Sequence, residues 1–202
     1  MTITYPLAMP TAPVAKAITF KPKFAVASTE SPFTFQQEIF EHQGQCWIAS
    51  VQLPPMPRAL AEAWVAWGLA LNGSVGTFTM GDPVGKAAQG TPTGTPKIKG
   101  AGQQASKSIV TDGWTANTLI LKAGDYIQLG TNLHKVLQNV TSSSTGEATI
   151  DIFPRVRDAL TDNADIVVAN TKGTWRMAGN GFSWDIGEAQ IYGISFECRE
   201  AL

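Results

Sequence analysis

Charged side chains are scarce in this chain: 15% of its 202 residues, against 44% hydrophobic. An ordinary soluble domain carries about 25% charged residues. A surface so poor in charge has fewer means of keeping neighbours away, which favours a chain covered by other subunits. Neither sign predominates. The formal net charge is -1, with Lys and Arg scattered rather than blocked, and this argues against a dedicated nucleic-acid surface. Cysteine is limited to Cys46 and Cys198, without CxxC spacing or a Cys/His metal pattern. A reduced, intracellularly assembled protein is expected. Both cysteines lie in predicted strands, so their adjacency stays open. No apolar run approaches membrane-spanning length, and "MTITYPLAMPTAPVAKAITF" has no continuous apolar core followed by a small-residue cleavage site. The expectation is a soluble protein made in the cytoplasm.

Signatures of chemistry are missing as well. "GAGQQASKS" lacks the spacing of a phosphate loop and precedes no helix signal. "GNGFSWD" contains no nucleophile elbow. Asp158, Asp162 and Asp165 lack the frame and the closing Glu of a calcium loop. The six tryptophans are dispersed, so core or interface packing is their default reading, with Trp114, Trp175 and Trp184 the candidates for a sugar-stacking groove. No catalytic, cofactor-binding or metal-binding residue is assigned.

One stretch does gather titratable groups. "GDYIQLGTNLHKVL" holds Asp125, Tyr126, His134 and Lys135. A hairpin turn centred on Thr131 and Asn132 pairs Leu129 with His134 and leaves Asp125 roughly 14 Å along the strands from the imidazole. That is beyond hydrogen-bond reach for an acid–base dyad. His134 is then a partly exposed strand residue covering Leu129, and Asp125 a turn residue capping its strand.

What is present is mostly strand. Residues 1–32, with five prolines, read as an extended arm. "FTFQQEIFEHQGQCWIASVQLPPMP" reads as a hairpin turning at "HQGQ", with Trp47, Ala49, Val51 and Leu53 on one face. "PRALAEAWVAWGLALNG" is the one strong helix. Pro57 suits its first turn and Asn72-Gly73 its stop, while Leu60, Trp64, Trp67 and Leu71 form a stripe. Its remaining positions are mainly Ala, so it is expected to be covered on most sides. "GDPVGKAAQGTPTGTPKIKGAGQQAS" reads as a linker, followed by short strands at the regular spacing of a small barrel or sandwich. "AQIYGISFECRE" alternates Tyr192, Ile194, Phe196 and Cys198 inward. The expected fold is mainly β, a β-sandwich or barrel core with one packed α-helix plus an inserted small β-barrel or sandwich domain. Residues 1–32 form the extended arm, 33–85 and 171–202 the core of β-sheet plus helix, and 86–170 the linker and inserted β-domain.

Four stretches in order carry a family likeness: "CWIASVQLPPMPRALAEAWVAWGLALNGSVGTFTMGDP", "SIVTDGWTANTLILKAGDYIQLGTNLHKVLQNV", "ATIDIFPRVRDAL" and "YGISFECRE". Together they resemble minor tail proteins of long-tailed bacteriophages, most closely the distal tail proteins between tail tube and tip. The resemblance implies a non-enzymatic virion subunit, assembled in the host cytoplasm, in a homo-oligomeric ring that is usually hexameric. Its partners would be further copies of itself, the tail tube protein and tail-tip hub or fibre proteins. DNA would pass through the lumen without specific binding, and neither cofactor nor membrane is implied. Leu60, Trp64, Trp67, Leu71, Tyr192 and Phe196 are the candidate interface or core residues. Which of Asp82, Glu62 or Asp185 faces the channel is open. The rival reading is a receptor- or carbohydrate-binding tail-tip module with the β-insert and Trp114 or Trp175 as its contact surface. A wall-degrading hydrolase would need paired carboxylates or a metal set.

Overall fold

The computed structural model describes residues 3–202, so the first two residues of the expected arm lie outside the described residues. Strands β1 (Leu7–Ala8), β2 (Ala17–Glu30), β3 (Gln37–Gln52) and β4 (Met56–Pro57) precede helix α1 (Arg58–Ala70). Then come β5 (Phe78–Met80), β6 (Gly94–Ile98), β7 (Ser108–Trp114), β8 (Leu119–Leu121), β9 (Tyr126–Leu129) and β10 (Asn132–Val136). β11 (Val140–Thr141), β12 (Ala148–Phe153), β13 (Ile166–Val167), β14 (Gly173–Met177), β15 (Trp184–Ile186) and β16 (Ile191–Glu200) complete the order. The protein is mainly β, 46% strand and 6% helix, with one helix among the described residues and sheets that form a nearly closed barrel.

The larger sheet runs β1-β5-β14-β16-β3-β2, with β4 and β15 also pairing β16. β16 is its centre, and alternation gives it an inward face that is apolar up to its last residue: Tyr192, Ile194, Phe196 and Cys198 are buried, as expected, Glu200 is buried at the end of the same face, and Ser195 and Glu197 are exposed. Trp47, Ala49 and Val51 of β3, with Leu53 just beyond it, face the same core. Helix α1 lies on that face, with Trp64 and Trp67 packed edge to face at 5.6 Å and Trp67 stacked near Phe78 and Phe196 at 5.0 and 5.4 Å. Asn72 and Gly73 take positive φ and end the helix.

Two details of the helix differ from the sequence reading. Leu60 is 42% exposed, while Ala61 and Gly68 are buried beside Trp64, Trp67 and Leu71. The small residues allow close approach, and the ring of Phe182 fills the space a Cβ at Gly68 would take. The covered face therefore centres on them and turns Leu60 outward. The face carrying Ala59, Leu60, Glu62, Ala63, Ala66 and Leu69 is open, so the helix is covered on one side rather than most.

The second sheet runs β13-β9-β10-β12-β7-β6. A bridge between Lys97 and Asp165, with the Ile98 amide donating to the Ala164 carbonyl at 2.9 Å, joins its ends into a barrel. Its core is Ile98, Ile109, Trp114, Ile120, Leu121, Ile127, Leu129, Val136, Ile150 and neighbours. The β9–β10 hairpin serves both cores. Ile127, Leu129 and Val136 enter the barrel core, while Tyr126 and Leu133 enter the sheet–helix core.

Other expectations are corrected. Residues 17–30 of the expected extended arm are extended but not unpacked: they form strand β2, paired along its length with β3. "HQGQ" is no turn: it lies within β3, and the chain reverses at residues 31–36 instead. Its polarity reflects a strand wet on both faces, which local composition does not distinguish from a loop. The Gly- and Pro-rich stretch is not a free connector. It contains β6, and Asp125, 3% exposed, accepts hydrogen bonds from the amides of Gln89, Gly90 and Lys122 at 2.8, 3.3 and 2.8 Å. Glycine there serves close approach, since a Cβ on Gly90 would collide with the Ile120 carbonyl oxygen.

Asp125→Ala leaves three amides without their acceptor, each a charge-assisted bond worth about 1.5–3 kcal/mol. Because these amides are only partly buried and water can replace part of what is lost, urea unfolding should show a loss of about 2–4 kcal/mol overall, below the simple sum, and hydrogen exchange should speed at Gln89 and Gly90. Amides that already exchange freely in the wild type would restore the flexible-connector reading.

Candidate functional site

The titratable stretch that stood out in the sequence is structural. Its turn is Gly130-Thr131, one residue earlier than expected, and pairs Asn132 with Leu129 and His134 with Ile127. Gly130 takes φ 57, the first-position glycine of a two-residue hairpin turn. His134 is 1% exposed rather than partly solvated. Its Nδ1–H donates to the Pro154 carbonyl at 2.7 Å. Burial pushes its pKa down to about 4. Lys135 points to the other face, where its ammonium sits 4.4 Å from the Tyr126 ring centroid and donates to the phenol oxygen at 3.1 Å.

The other singled-out residues scatter. Asp162 accepts from the Gly100 amide at 2.7 Å, and Asp165 pairs with Lys97 at 2.7 Å. Among the described residues no group of three or more His, Cys, Asp or Glu is placed to hold a metal ion. Trp114 and Trp175 are buried, so neither offers a sugar-stacking surface. Trp64, Trp67, Leu71, Tyr192 and Phe196 share one core, and Leu60 alone of that set points outward. Both cysteines are free thiols. Cys198 lies opposite Ala49, three positions along β3 from Cys46. Burial pushes the Cys198 thiol up to about 12.

The unusual surface lies elsewhere. Beyond Lys21 and before Gln45, the β2–β3 ribbon is exposed on both faces, only Ser31 at the turn being half-buried. It carries Phe24, Val26, Phe33, Phe35, Ile39 and Phe40, all large, apolar and exposed, with Phe33 at 91% and Phe35 at 73%. Phe35 also holds φ 56, a left-handed conformation that bulky residues seldom adopt. A hint stood in the sequence: Ile39 and Phe40 are consecutive, so a strand through both must put a large apolar group on each face.

The root of the ribbon is braced. Glu41 meets Lys107 and Arg155 at 2.6 and 2.9 Å, and the Lys107 ammonium, with Arg155, holds its carboxyl below the usual range. Phe24 packs on Phe153 at 4.9 Å, and Phe153 on Trp47 at 4.8 Å. Deeper in, Glu200 is 1% exposed. Its carboxylate accepts two bonds from Arg157, at 2.8 and 2.6 Å, and one from the Trp47 amide at 3.1 Å. Arg157 also donates to the Gln45 carbonyl at 2.8 Å. Beside this joint lies a cleft of about 790 Å³, bordered by Lys23, Phe24, Cys46, Arg155, Arg157 and Arg199. Sequence reading had missed both ribbon and cleft, because the cleft's residues come together only through β-pairing across the whole chain.

No helix among the described residues is long and apolar enough to cross a membrane. No family model matches the chain, and no curated protein matches it.

Two measurements check this account of the joint. Glu200→Ala strands the Arg157 guanidinium, so unfolding free energy should fall by about 3–5 kcal/mol, and pairing it with Arg157→Met should recover much of that loss. For His134, the unfolded side chain titrates near 6.5 and the folded one near 4. Below pH 6.5 the unfolded chain therefore binds a proton that the folded chain does not. Stability is full above that pH and falls towards pH 4, by about 2 kcal/mol between pH 7 and pH 5. Urea midpoints at these two pH values should lose that part of their difference in His134→Gln. An unchanged difference would contradict the assignment.

Proposed function

We propose that this protein is a structural, non-enzymatic subunit of an oligomeric ring at the distal end of a long bacteriophage tail, joining the tail tube to tip or fibre proteins. The observation that carries the reading is the free-standing ribbon. A two-stranded hairpin is at best marginally stable alone in water, and this one presents six large apolar side chains to solvent. Exposed apolar surface concentrated on a projecting element fits a chain whose neighbours cover it. The low charge content and the open, alanine-rich face of α1 support the same reading. The order of the four family-like stretches supplies the phage tail as its setting. In that setting the sheet–helix body forms the ring, and the barrel built from β6 to β13 is available to tip components. The rival receptor- or carbohydrate-binding reading loses the two indoles of its contact surface, since Trp114 and Trp175 are buried, and keeps only the rest of the inserted β-domain.

Native mass spectrometry and negative-stain electron microscopy of the purified protein test this proposal. Closed rings, six subunits being the expected number, should appear as concentration rises. A particle that stays monomeric at high concentration would sink it.

A further inference from the structure

The ribbon tip and the cleft at the ribbon's root are complementary in chemistry. From Phe24 to Gly44 the ribbon carries Glu30, Glu38 and Glu41 and no Lys or Arg. Glu41 is already engaged at the root by Lys107 and Arg155. The outer part is thus apolar and acidic, with Phe33, Phe35 and Ile39 exposed beside Glu30 and Glu38. The cleft is apolar and basic. Phe24, Cys46 and Val156 help to line it, and Lys23 and Arg199 border it, neither making an ion pair among the described residues. At 790 Å³ it has room for two aromatic side chains and the backbone that bears them.

A tip cannot fill the cleft of its own chain. Lys23 pairs with Cys46 at the root and Glu30 with Gln37 at the far end, which places the tip roughly 23 Å away at about 3.3 Å per residue. The brace at Glu41 and the Phe24–Phe153 contact hold the ribbon pointing away. The backbone of Phe35 adds an independent sign: an aromatic residue kept in a left-handed turn position is tolerated where its side chain has a use.

We infer that the ribbon tip of one copy seats Phe33 and Phe35 in the root cleft of the next copy, with Glu30 and Glu38 meeting Lys23 and Arg199. Tip and cleft are different surfaces of the same chain, so the contact is heterologous and propagates head to tail until it closes into a ring. The inference rests on the self-association proposed above and names the surface that produces it.

Cysteine chemistry tests it directly, because Cys46 borders the cleft and Cys198 is buried. Phe33→Cys places a thiol on the most exposed tip residue without touching the core. Treatment with a short bismaleimide or a mild oxidant should link this thiol to Cys46 of a neighbour, giving a ladder of covalent multimers on denaturing gels. The ladder should vanish in F33C/C46S. K23E/R199E should reduce cross-linking at least tenfold, and adding E30K/E38K to that pair should restore it. Far-ultraviolet circular dichroism of each variant guards against misfolding. If the wild-type protein forms rings but F33C gives no ladder, the seating is wrong while the ring reading survives. If the wild type stays monomeric, both fail. A wild-type cleft that takes up a sulfated polysaccharide, with no ladder from F33C, would make the cleft an anion site and overturn the inference. Equal cross-linking with and without K23E/R199E would overturn the charge pairing.

Discussion

The carboxylate of Glu200 is the joint on which the rest of the structure depends. A charge taken out of water is tolerable only where fixed donors replace its hydration. Here they are the guanidinium of Arg157 and the amide of Trp47. Glu200 ends the central strand β16, Trp47 lies in β3 where the sheet runs out towards the ribbon, and Arg157 follows the last long strand of the barrel. Three parts far apart in sequence are therefore set in register by one side chain. Arg157 extends the constraint by donating to the Gln45 carbonyl, which fixes the backbone where β3 leaves the body. Apolar residues at these positions would pack as well or better, but they would not specify which strand end meets which loop. The buried ion pair specifies that geometry.

The β9–β10 hairpin supplies the second coupling. A strand with one buried face reads as alternation, whereas one buried on both faces reads as a nearly continuous apolar run. Tyr126-Ile127 is a short run of this kind, while in β10 Leu133 and Val136 face opposite cores with His134 and Lys135 between them. The indole N–H of Trp47 donates to the Leu133 carbonyl at 3.1 Å, and the Thr174 amide to the Thr131 carbonyl at 2.9 Å. The hairpin is thus bonded to the larger sheet through its backbone as well as its side chains. His134 is buried in this hairpin, 1% exposed, with its ring on the Pro154 carbonyl. Its titration is displaced by its place in the architecture, not by a neighbouring catalytic group.

This explains what the sequence could and could not convey. The helix, the alternation of β16 and the inward face of β3 were legible because each depends on one repeating pattern with one wet side. The mainly β character was legible from the spacing of short strands. Strand β2 was not, because Pro22 and the small residues of 17–30 resemble an arm when its partner is unknown, and its pairing with β3 is a non-local fact. The "linker" failed for a related reason. Gly90 lacks a side chain not for flexibility but so that backbone can lie on backbone, with the buried Asp125 carboxylate holding its amide and that of Gln89. The cleft was least legible, since its walls come from residues near 23, 46, 155 and 199 and no local window contains more than a fragment of it.

The proposed ring would relax the demand on each contact. Burying a phenylalanine is worth about 1.5–3 kcal/mol, and two per contact would not hold a dimer against the lost translational and rotational freedom, about 4–15 kcal/mol. In a closed ring the number of contacts equals the number of copies, while the number of free bodies lost is one fewer. The closing contact therefore forms within an already connected assembly, at high effective concentration. Six exposed apolar residues on one narrow ribbon suit such a device. They are too few to drive indiscriminate association of isolated chains, and sufficient once geometry lets every copy make the same contact. The rigid root then matters as much as the tip, because a ribbon free to swing would close rings of every size or none. The constraint at Glu200, Arg157 and Gln45 fixes that angle.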